Sequence, residues 1–196
     1  MTQEHKVIIG PGMDGRTEGI SWLTRNWPER YGLQPVVVPV TWKDNEPLDP
    51  KLSRVAELID RFSGEGARVD LVGCSASGPL MLLAFMARKD AVSRVVNVGG
   101  FLRPGSRQGF RSFSKRSAKS PAFREAVLRC AELEPSLTAV DRAKILTVRP
   151  VFDELVPPET VTVPQATNLT VPMPEHVLGI GLTLIKYDPV IRFLQG

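Results

Sequence analysis

The sequence predicts an α/β fold, a three-layer sandwich in which helices cover both faces of a mostly parallel central sheet of about six strands. Short β-branched apolar runs alternate along the chain with longer segments of helical periodicity. Glycine or proline ends several of the apolar runs, as at turns that follow strands. No internal repeat or linker divides the 196 residues, so a single domain over residues 1–196 is expected.

The elements follow one another in a regular order. Strands are predicted at residues 6–10, 36–40, 69–73, 94–98, 144–148 and 168–171. Helices are predicted at residues 19–30, 51–62, 77–88 and 121–133, and from residue 176 onward, with an interruption at Pro189. Pro39 cannot donate to a central ladder, so the second strand is expected to lie at an edge of the sheet or to end early. Helix 77–88 is apolar nearly all round, which predicts a buried helix packed on the sheet.

A serine lies at the sharpest predicted turn, between the third strand and the helix that follows it. Residues 73–78 read Gly-Cys-Ser-Ala-Ser-Gly, with Ser75 at the tip of the turn. Such a turn presses together the positions two residues either side of the serine, so both must be small, and here they are Gly73 and Ser77. The helix N-terminus then lies beside Ser75 and favours a developing negative charge. A serine that merely caps the helix is the alternative.

This pattern resembles the nucleophile elbow of the α/β-hydrolase family, with Ser77 at a position where glycine is usual. The resemblance covers essentially the whole chain, because a glycine-containing loop, the elbow, an Asp-x-x-Val-Pro loop and a late histidine occur in the family order. It implies the α/β-hydrolase fold. It also implies a small serine hydrolase, similar to lipases and esterases, without a large cap domain.

Histidine is the usual base for a serine nucleophile, and the chain contains two. His5 precedes the first strand and belongs to the amino end of the sheet, whereas His176 follows the last strand, at the carboxyl end where ligands bind in such sheets. His176 is therefore the candidate base. The chain order of the family implies Asp153 as the acid, with Glu154 as the adjacent alternative. Asp141 precedes its strand and so lies at the wrong end.

The resemblance also implies an oxyanion hole made by the backbone N–H groups of Met13 and Ala76. Pro11 stands where the family commonly has a histidine in this loop. The candidate substrate-binding residues are Gly12, Asp14, Phe101, Phe110 and Phe113. The glycine-containing loop has neither the G-x-G-x-x-G nor the Walker lysine pattern of phosphate-binding loops, and neither a metal nor a cofactor is expected.

Basic residues are concentrated in one part of the chain, the basic segment at residues 103–129. It contains eight lysines and arginines and one glutamate, a charge of +7, although the whole chain carries +4. The basic segment belongs to a short cap-like insert expected at about residues 102–137. It is either a lid that meets an anionic substrate or lipid surface, or a solvated helix pair with an ordinary basic face. No nucleic-acid-binding motif is present, so nucleic acid is not an expected partner.

The expected substrate is a small-molecule acyl ester or thioester, cleaved through an acyl-enzyme on Ser75. A non-catalytic binding protein of the same fold and a small peptidase are the alternatives. The sequence shows neither a signal region nor an apolar run long enough to span a bilayer. Cys74 and Cys130 form no metal or redox motif, so a reducing cytoplasm is the expected location.

Overall fold

One parallel sheet forms the centre of the computed structural model, which describes residues 3–109, 112–186 and 188–196. The strands are β1 (His5–Gly10), β2 (Gln34–Val37), β3 (Arg68–Cys74), β4 (Arg94–Val98), β5 (Ile145–Pro150) and β6 (Thr167–Val171). Their order is β2-β1-β3-β4-β5-β6, and every neighbouring pair is parallel. The strand that precedes Pro39 is therefore an edge strand, as predicted.

Helices connect these strands. They are α1 (Glu18–Thr24), α2 (Trp27–Tyr31), α3 (Leu48–Gly64), α4 (Ser77–Ala87), α5 (Phe113–Ser117), α6 (Pro121–Leu133), α7 (Ala139–Ala143), α8 (His176–Lys186) and α9 (Asp188–Gln195). Pro189 lies in the first turn of α9, where proline is tolerated. Within the described ranges, no helix combines the length and the apolar character that crossing a membrane requires.

Each face of the sheet has its own apolar core, because successive side chains of a strand point to opposite faces. Ile8 and Leu71 belong to a core that α3, α4 and α6 cover. Val7, Ile9 and Val72 belong to a second core, which α1, α2, α8 and α9 cover. The predicted three-layer sandwich is thus confirmed.

Two predicted helices occupy the first of these layers. Helix α4 buries every residue from Ser77 to Phe85, so it has no polar face along that length. Helix α6 begins at the predicted residue, and its cap is Ser120, whose hydroxyl accepts the Phe123 N–H at 3.2 Å. Phe123 and Val127 of α6 are buried in the same core as α4. The helix that carries part of the basic segment therefore belongs to the packed sandwich.

The prediction of one continuous helix at residues 19–30 is wrong, because two short helices, α1 and α2, occupy this stretch. Pro28 explains the break. Proline has no N–H, and its ring clashes with the carbonyl four residues earlier in a helix. That residue is Thr24, where α1 ends. Helix α2 begins at Trp27 and has Pro28 in its first turn.

The carboxyl ends of the strands meet at one edge of the sheet, and the candidate residues follow these ends. Ser75 comes directly after β3, Asp153 follows β5, and His176 follows β6. His5 opens β1 at the opposite edge, where its Nε2 lies 2.6 Å from the Asp70 carboxylate. Because parallel strands end at the same edge, residues far apart in the sequence are brought within contact distance there.

Candidate active site

Ser75 occupies a turn with a strained backbone. Its φ of +50° lies in the left-handed region, which residues other than glycine rarely adopt. Two hydrogen bonds hold the turn, since the Ser75 N–H donates to the Val98 carbonyl at 2.8 Å and the Gly78 N–H donates to the Ser75 carbonyl at 3.0 Å. The turn presents Ser75 to a cleft at the carboxyl edge of the sheet.

The crowding predicted around this turn is present. A Cβ on Gly73 would lie 2.5 Å from the Ser77 carbonyl oxygen, so no larger residue fits there. Ser77 is fully buried, and its hydroxyl donates to the Pro11 carbonyl at 2.5 Å. Gly10 leaves room for this serine, because a Cβ on Gly10 would lie 2.6 Å from the Ser77 Cβ. Ser77 thus ties the turn to the loop that follows β1.

Ser75, His176 and Asp153 form one hydrogen-bonded row. The Ser75 Oγ lies 2.9 Å from His176 Nε2, and His176 Nδ1 lies 2.7 Å from Asp153 Oδ2. His176 and Asp153 are 3% and 4% exposed, respectively. An ionised carboxylate only accepts hydrogen bonds, so Nδ1 donates to Asp153 and Nε2 is left to accept the serine hydroxyl.

The two acids left as alternatives by the sequence have different partners. Asp153 Oδ1 accepts the N–H groups of Leu155 and Val156, each at 2.8 Å, and this turns Oδ2 toward the imidazole. Glu154 Oε2 instead accepts the backbone N–H of His176 at 3.1 Å. The structure therefore places Asp153 at the imidazole ring and Glu154 at the backbone that carries it.

Two further residues, which sequence reasoning missed, fix the position of the histidine. The Glu175 carboxylate accepts the Leu178 and Val177 N–H groups, at 2.6 and 3.0 Å, and these bonds lower the pKa of Glu175. An acid at the start of an apolar helical run was the available signal. Gly99 has a φ of +64°, and a Cβ on it would lie 3.1 Å from His176 Cε1, so the ring packs directly on this backbone.

Backbone donors lie beside Ser75. Ala76 precedes the first turn of α4, and Met13 lines the same cleft as Ser75. Among the residues that the structure describes, the N–H groups of Ala76 and Met13 make no hydrogen bond. Gly12 allows the Met13 loop to come close, since a Cβ on Gly12 would lie 3.7 Å from the Ser75 Cβ.

Cys74 is the other nucleophilic side chain near the turn. Burial raises the pKa of the Cys74 thiol to about 12, so the thiol stays protonated at neutral pH. The thiolate is the reactive form of cysteine, and a protonated, buried thiol is inert. Both residues line the cleft, but only the Ser75 hydroxyl contacts the imidazole of His176.

The cleft has a volume of about 1010 Å³ and contains both Ser75 and His176. The predicted residues Gly12, Met13 and Asp14 line it. An apolar wall from α1, α8 and the loop before α8 consists of Ile20, Leu23, Met173, Val177, Leu178, Ile180 and Ile185. Sequence reasoning missed this wall, although apolar residues directly after His176 were its signal.

The phenylalanines predicted to bind substrate are placed differently. Phe101 is buried in the core, where its ring centroid lies 6.0 Å from that of Phe113 and 6.3 Å from that of Phe123. Neither Phe101 nor Phe113 lines the cleft, because both rings pack against Phe123 of α6 in the core. Phe110 lies outside the described residues.

Comparisons with known proteins agree with this architecture. No protein-family model matches the sequence, and no curated protein matches it. A metagenome-derived lipolytic enzyme superimposes with a TM-score of 0.68 at 14% identity, over 97% of this chain and 94% of that one. The monoacylglycerol lipase of Paleococcus ferrophilus gives 0.65 at 12%, over 98% and 96%. A meta-cleavage product hydrolase of Pseudomonas fluorescens gives 0.63 at 14%, over 97% and 90%. At such identities the likeness establishes a shared fold.

Proposed function

We propose that this chain, which has the α/β-hydrolase fold, is a serine hydrolase that cleaves carboxylic esters or thioesters through an acyl-enzyme on Ser75. The observation that carries the proposal is the hydrogen-bonded row of Ser75, His176 and Asp153 at the cleft. A helix-capping serine does not explain this row. Helix α4 has no side-chain cap hydrogen bond, and the hydroxyl of Ser75 is directed to an imidazole nitrogen.

Acylation uses the groups already in place. The Ser75 Oγ attacks the carbonyl carbon while His176 Nε2 takes the hydroxyl proton. Asp153 holds Nδ1–H and stabilises the imidazolium that forms. The Ala76 and Met13 N–H groups donate to the oxyanion of the tetrahedral intermediate. When the intermediate collapses, His176 gives the proton to the departing alcohol or thiol, and the acyl group stays on Oγ.

Deacylation repeats these steps with water. His176 takes a proton from the water that attacks the acyl carbon, then returns it to Oγ as the carboxylic acid leaves. The apolar wall suits an apolar acyl chain, since burial of each methylene contributes about 0.8 kcal/mol. Two of the structural neighbours are lipid hydrolases by name, which supports an ester as the substrate.

A panel of 4-nitrophenyl esters of increasing acyl length tests the proposal. We expect hydrolysis by the native chain and a loss on the order of 10⁶-fold in kcat for His176→Ala, because the serine then has no base. The matched control is His5→Gln, which keeps a hydrogen-bond donor for Asp70 and lies at the far edge of the sheet. A native chain that hydrolyses no ester, or a His176→Ala variant with native activity, would contradict the proposal.

We further propose the cytoplasm as the site of action. Cys74 and Cys130 are both buried, and neither forms a disulfide. Free thiols persist in a reducing compartment. To test this, the protein is isolated under oxygen-free conditions and denatured without reductant in the presence of an alkylating reagent. We expect both thiols to be alkylated.

A further inference from the structure

Two cationic side chains lie in the cleft without a carboxylate partner. Arg116 of α5 is partly buried, and Lys43 lies in the loop between β2 and α3. In the part of the chain that the structure describes, neither side chain makes an ion pair or a hydrogen bond. Two other arginines of the basic segment are paired, since Arg103 contacts Glu134 and Arg129 contacts a carboxylate of α3 at 2.7 Å. Arg116 and Lys43 are therefore available to a ligand.

A shared aromatic contact links the two segments that carry Arg116 and Lys43. The rings of Trp42 and Phe113 both pack on Phe123, with centroid distances of 5.8 and 6.3 Å. Lys43 directly follows Trp42 in the sequence. Arg116 lies three residues after Phe113 on α5, and residues at this spacing are neighbours on a helix surface. The two cations consequently extend from neighbouring segments.

Among the described residues, the acids of the cleft form no ion pair with either cation. Asp14 is paired with Arg16 at 3.5 Å. Glu18 lies in the first turn of α1, where the helix N-terminus already stabilises a negative charge. The cleft thus combines the apolar wall with a positive region formed by Lys43 and Arg116.

From this arrangement we propose that the substrate carries an anionic group, a carboxylate or a phosphate, which Arg116 and Lys43 bind while its apolar part lies against α1 and α8. The inference rests on the proposed hydrolase function and names its substrate class. A guanidinium binds both kinds of anion through two parallel hydrogen bonds. Partial burial strengthens this attraction, because the effective dielectric constant is lower than in bulk water.

Three pairs of esters test the inference, each with an anionic member and a neutral member. The 4-nitrophenyl monoester of adipic acid and 4-nitrophenyl hexanoate differ by a carboxylate in place of a methyl group on the acyl side. The hexanoate esters of 4-hydroxybenzoate and of 4-hydroxybenzamide place the carboxylate on the leaving group. The hexanoate esters of 4-hydroxyphenyl phosphate and of 4-methoxyphenol test phosphate.

The measured quantity is the ratio of kcat/KM for the anionic member to that for the neutral member. We expect a ratio above one for at least one pair in the native chain. Arg116→Gln should lower this ratio about 10-fold and Lys43→Gln about 3-fold, as a partly buried and an exposed charge do. The matched controls Arg124→Gln and Lys119→Gln change side chains that do not line the cleft, so the ratio should stay at its native value.

Two results would overturn the inference while leaving the hydrolase function intact. One is a native ratio at or below one for all three pairs. The other is an equal fall of the ratio in Arg116→Gln and Arg124→Gln. Failure of the hydrolase function is distinct, since no ester of any pair would then be cleaved. In that event, titration calorimetry of the Ser75→Ala variant with the adipate monoester still tests the anion subsite. Adding Arg116→Gln to this variant should weaken binding of the monoester about 10-fold. No binding to Ser75→Ala, or equal binding to both variants, would refute the subsite.

Discussion

Replacement of Asp153 by asparagine tests the row of Ser75, His176 and Asp153 without removing any heavy-atom position from it. In the native chain, the Leu155 and Val156 N–H groups donate to Asp153 Oδ1 at 2.8 Å each. In Asp153→Asn the amide oxygen takes this position, because the loop offers two donors there. The amide NH₂ group then takes the position of Oδ2, opposite the imidazole.

The two hydrogen bonds to this oxygen position set the free-energy preference for this orientation of the amide. The opposite orientation would set NH₂ against two N–H donors and leave both without an acceptor. Each buried, unsatisfied group costs about 1–3 kcal/mol, so the total is about 2–6 kcal/mol. At 1.36 kcal/mol for each factor of ten, the first orientation is favoured at least about 30-fold.

The amide NH₂ reverses the imidazole tautomer. His176 Nδ1 must accept a hydrogen bond from it, so the ring proton moves to Nε2 and points at the Ser75 hydroxyl. Nε2 is then unable to take the serine proton, and we expect kcat for 4-nitrophenyl hexanoate to fall on the order of 10⁴-fold. Thermal unfolding followed by circular dichroism should show a folded variant, because the number of hydrogen bonds is unchanged.

Glu154→Gln is the matched control for this variant, since a glutamine oxygen still accepts the His176 backbone N–H. We expect its kcat to stay within a few-fold of native. An Asp153→Asn variant that retained kcat within 10-fold of the native chain would refute the assignment of Asp153 as the acid. A severe effect of Glu154→Gln with a nearly silent Asp153→Asn would move the acid to the neighbouring residue.

Two further predictions concern packing and pH. Ser77→Gly should remain active, but its free energy of unfolding in urea should fall by about 1–3 kcal/mol, since the Pro11 carbonyl loses its donor. Ser77→Val adds overpacking that costs about another 1–3 kcal/mol, and this variant should also lose activity. A stable, active Ser77→Val would contradict the crowded turn. Burial alone would raise the pKa of Asp141, but hydrogen bonds from Lys89 and the Thr138 N–H outweigh burial and lower this pKa to about 2. The carboxylate therefore stabilises the fold above its ordinary pKa of 3.8, and this contribution is lost as the pH falls through about 2. The free energies of unfolding of the native chain and Asp141→Asn should converge between about pH 4 and 2, and a constant difference would refute this assignment.

The sequence predicts the placement of the hydrogen-bonded row because few residues compete for each position. Small residues are needed around Ser75, the chain has two histidines, and His176 is the one that follows a strand. The parallel sheet then brings the ends of β3, β5 and β6 to one edge. Local pattern and chain order together suffice for these residues.

The positions of other cleft residues depend on tertiary packing, which local pattern does not specify. Phe101 and Phe113 lie in a basic, aromatic stretch of sequence that suggests a substrate-binding role, yet both rings pack on Phe123 at the core. Arg116 and Lys43 both line the cleft, and the segments that carry them, α5 and the loop before α3, both contact the Phe123 ring. Helix α5 has five residues, too few to show a helical period.

The central claim is that Ser75 is an activated nucleophile, and labelling with a fluorophosphonate probe tests it most directly. Tandem mass spectrometry of the labelled, folded protein should find one adduct, on Ser75, with none on Ser77 or Cys74. His176→Ala should slow the labelling by about 10²- to 10⁴-fold, because the hydroxyl loses its base. No adduct, or an adduct on Ser77 in place of Ser75, would contradict the account.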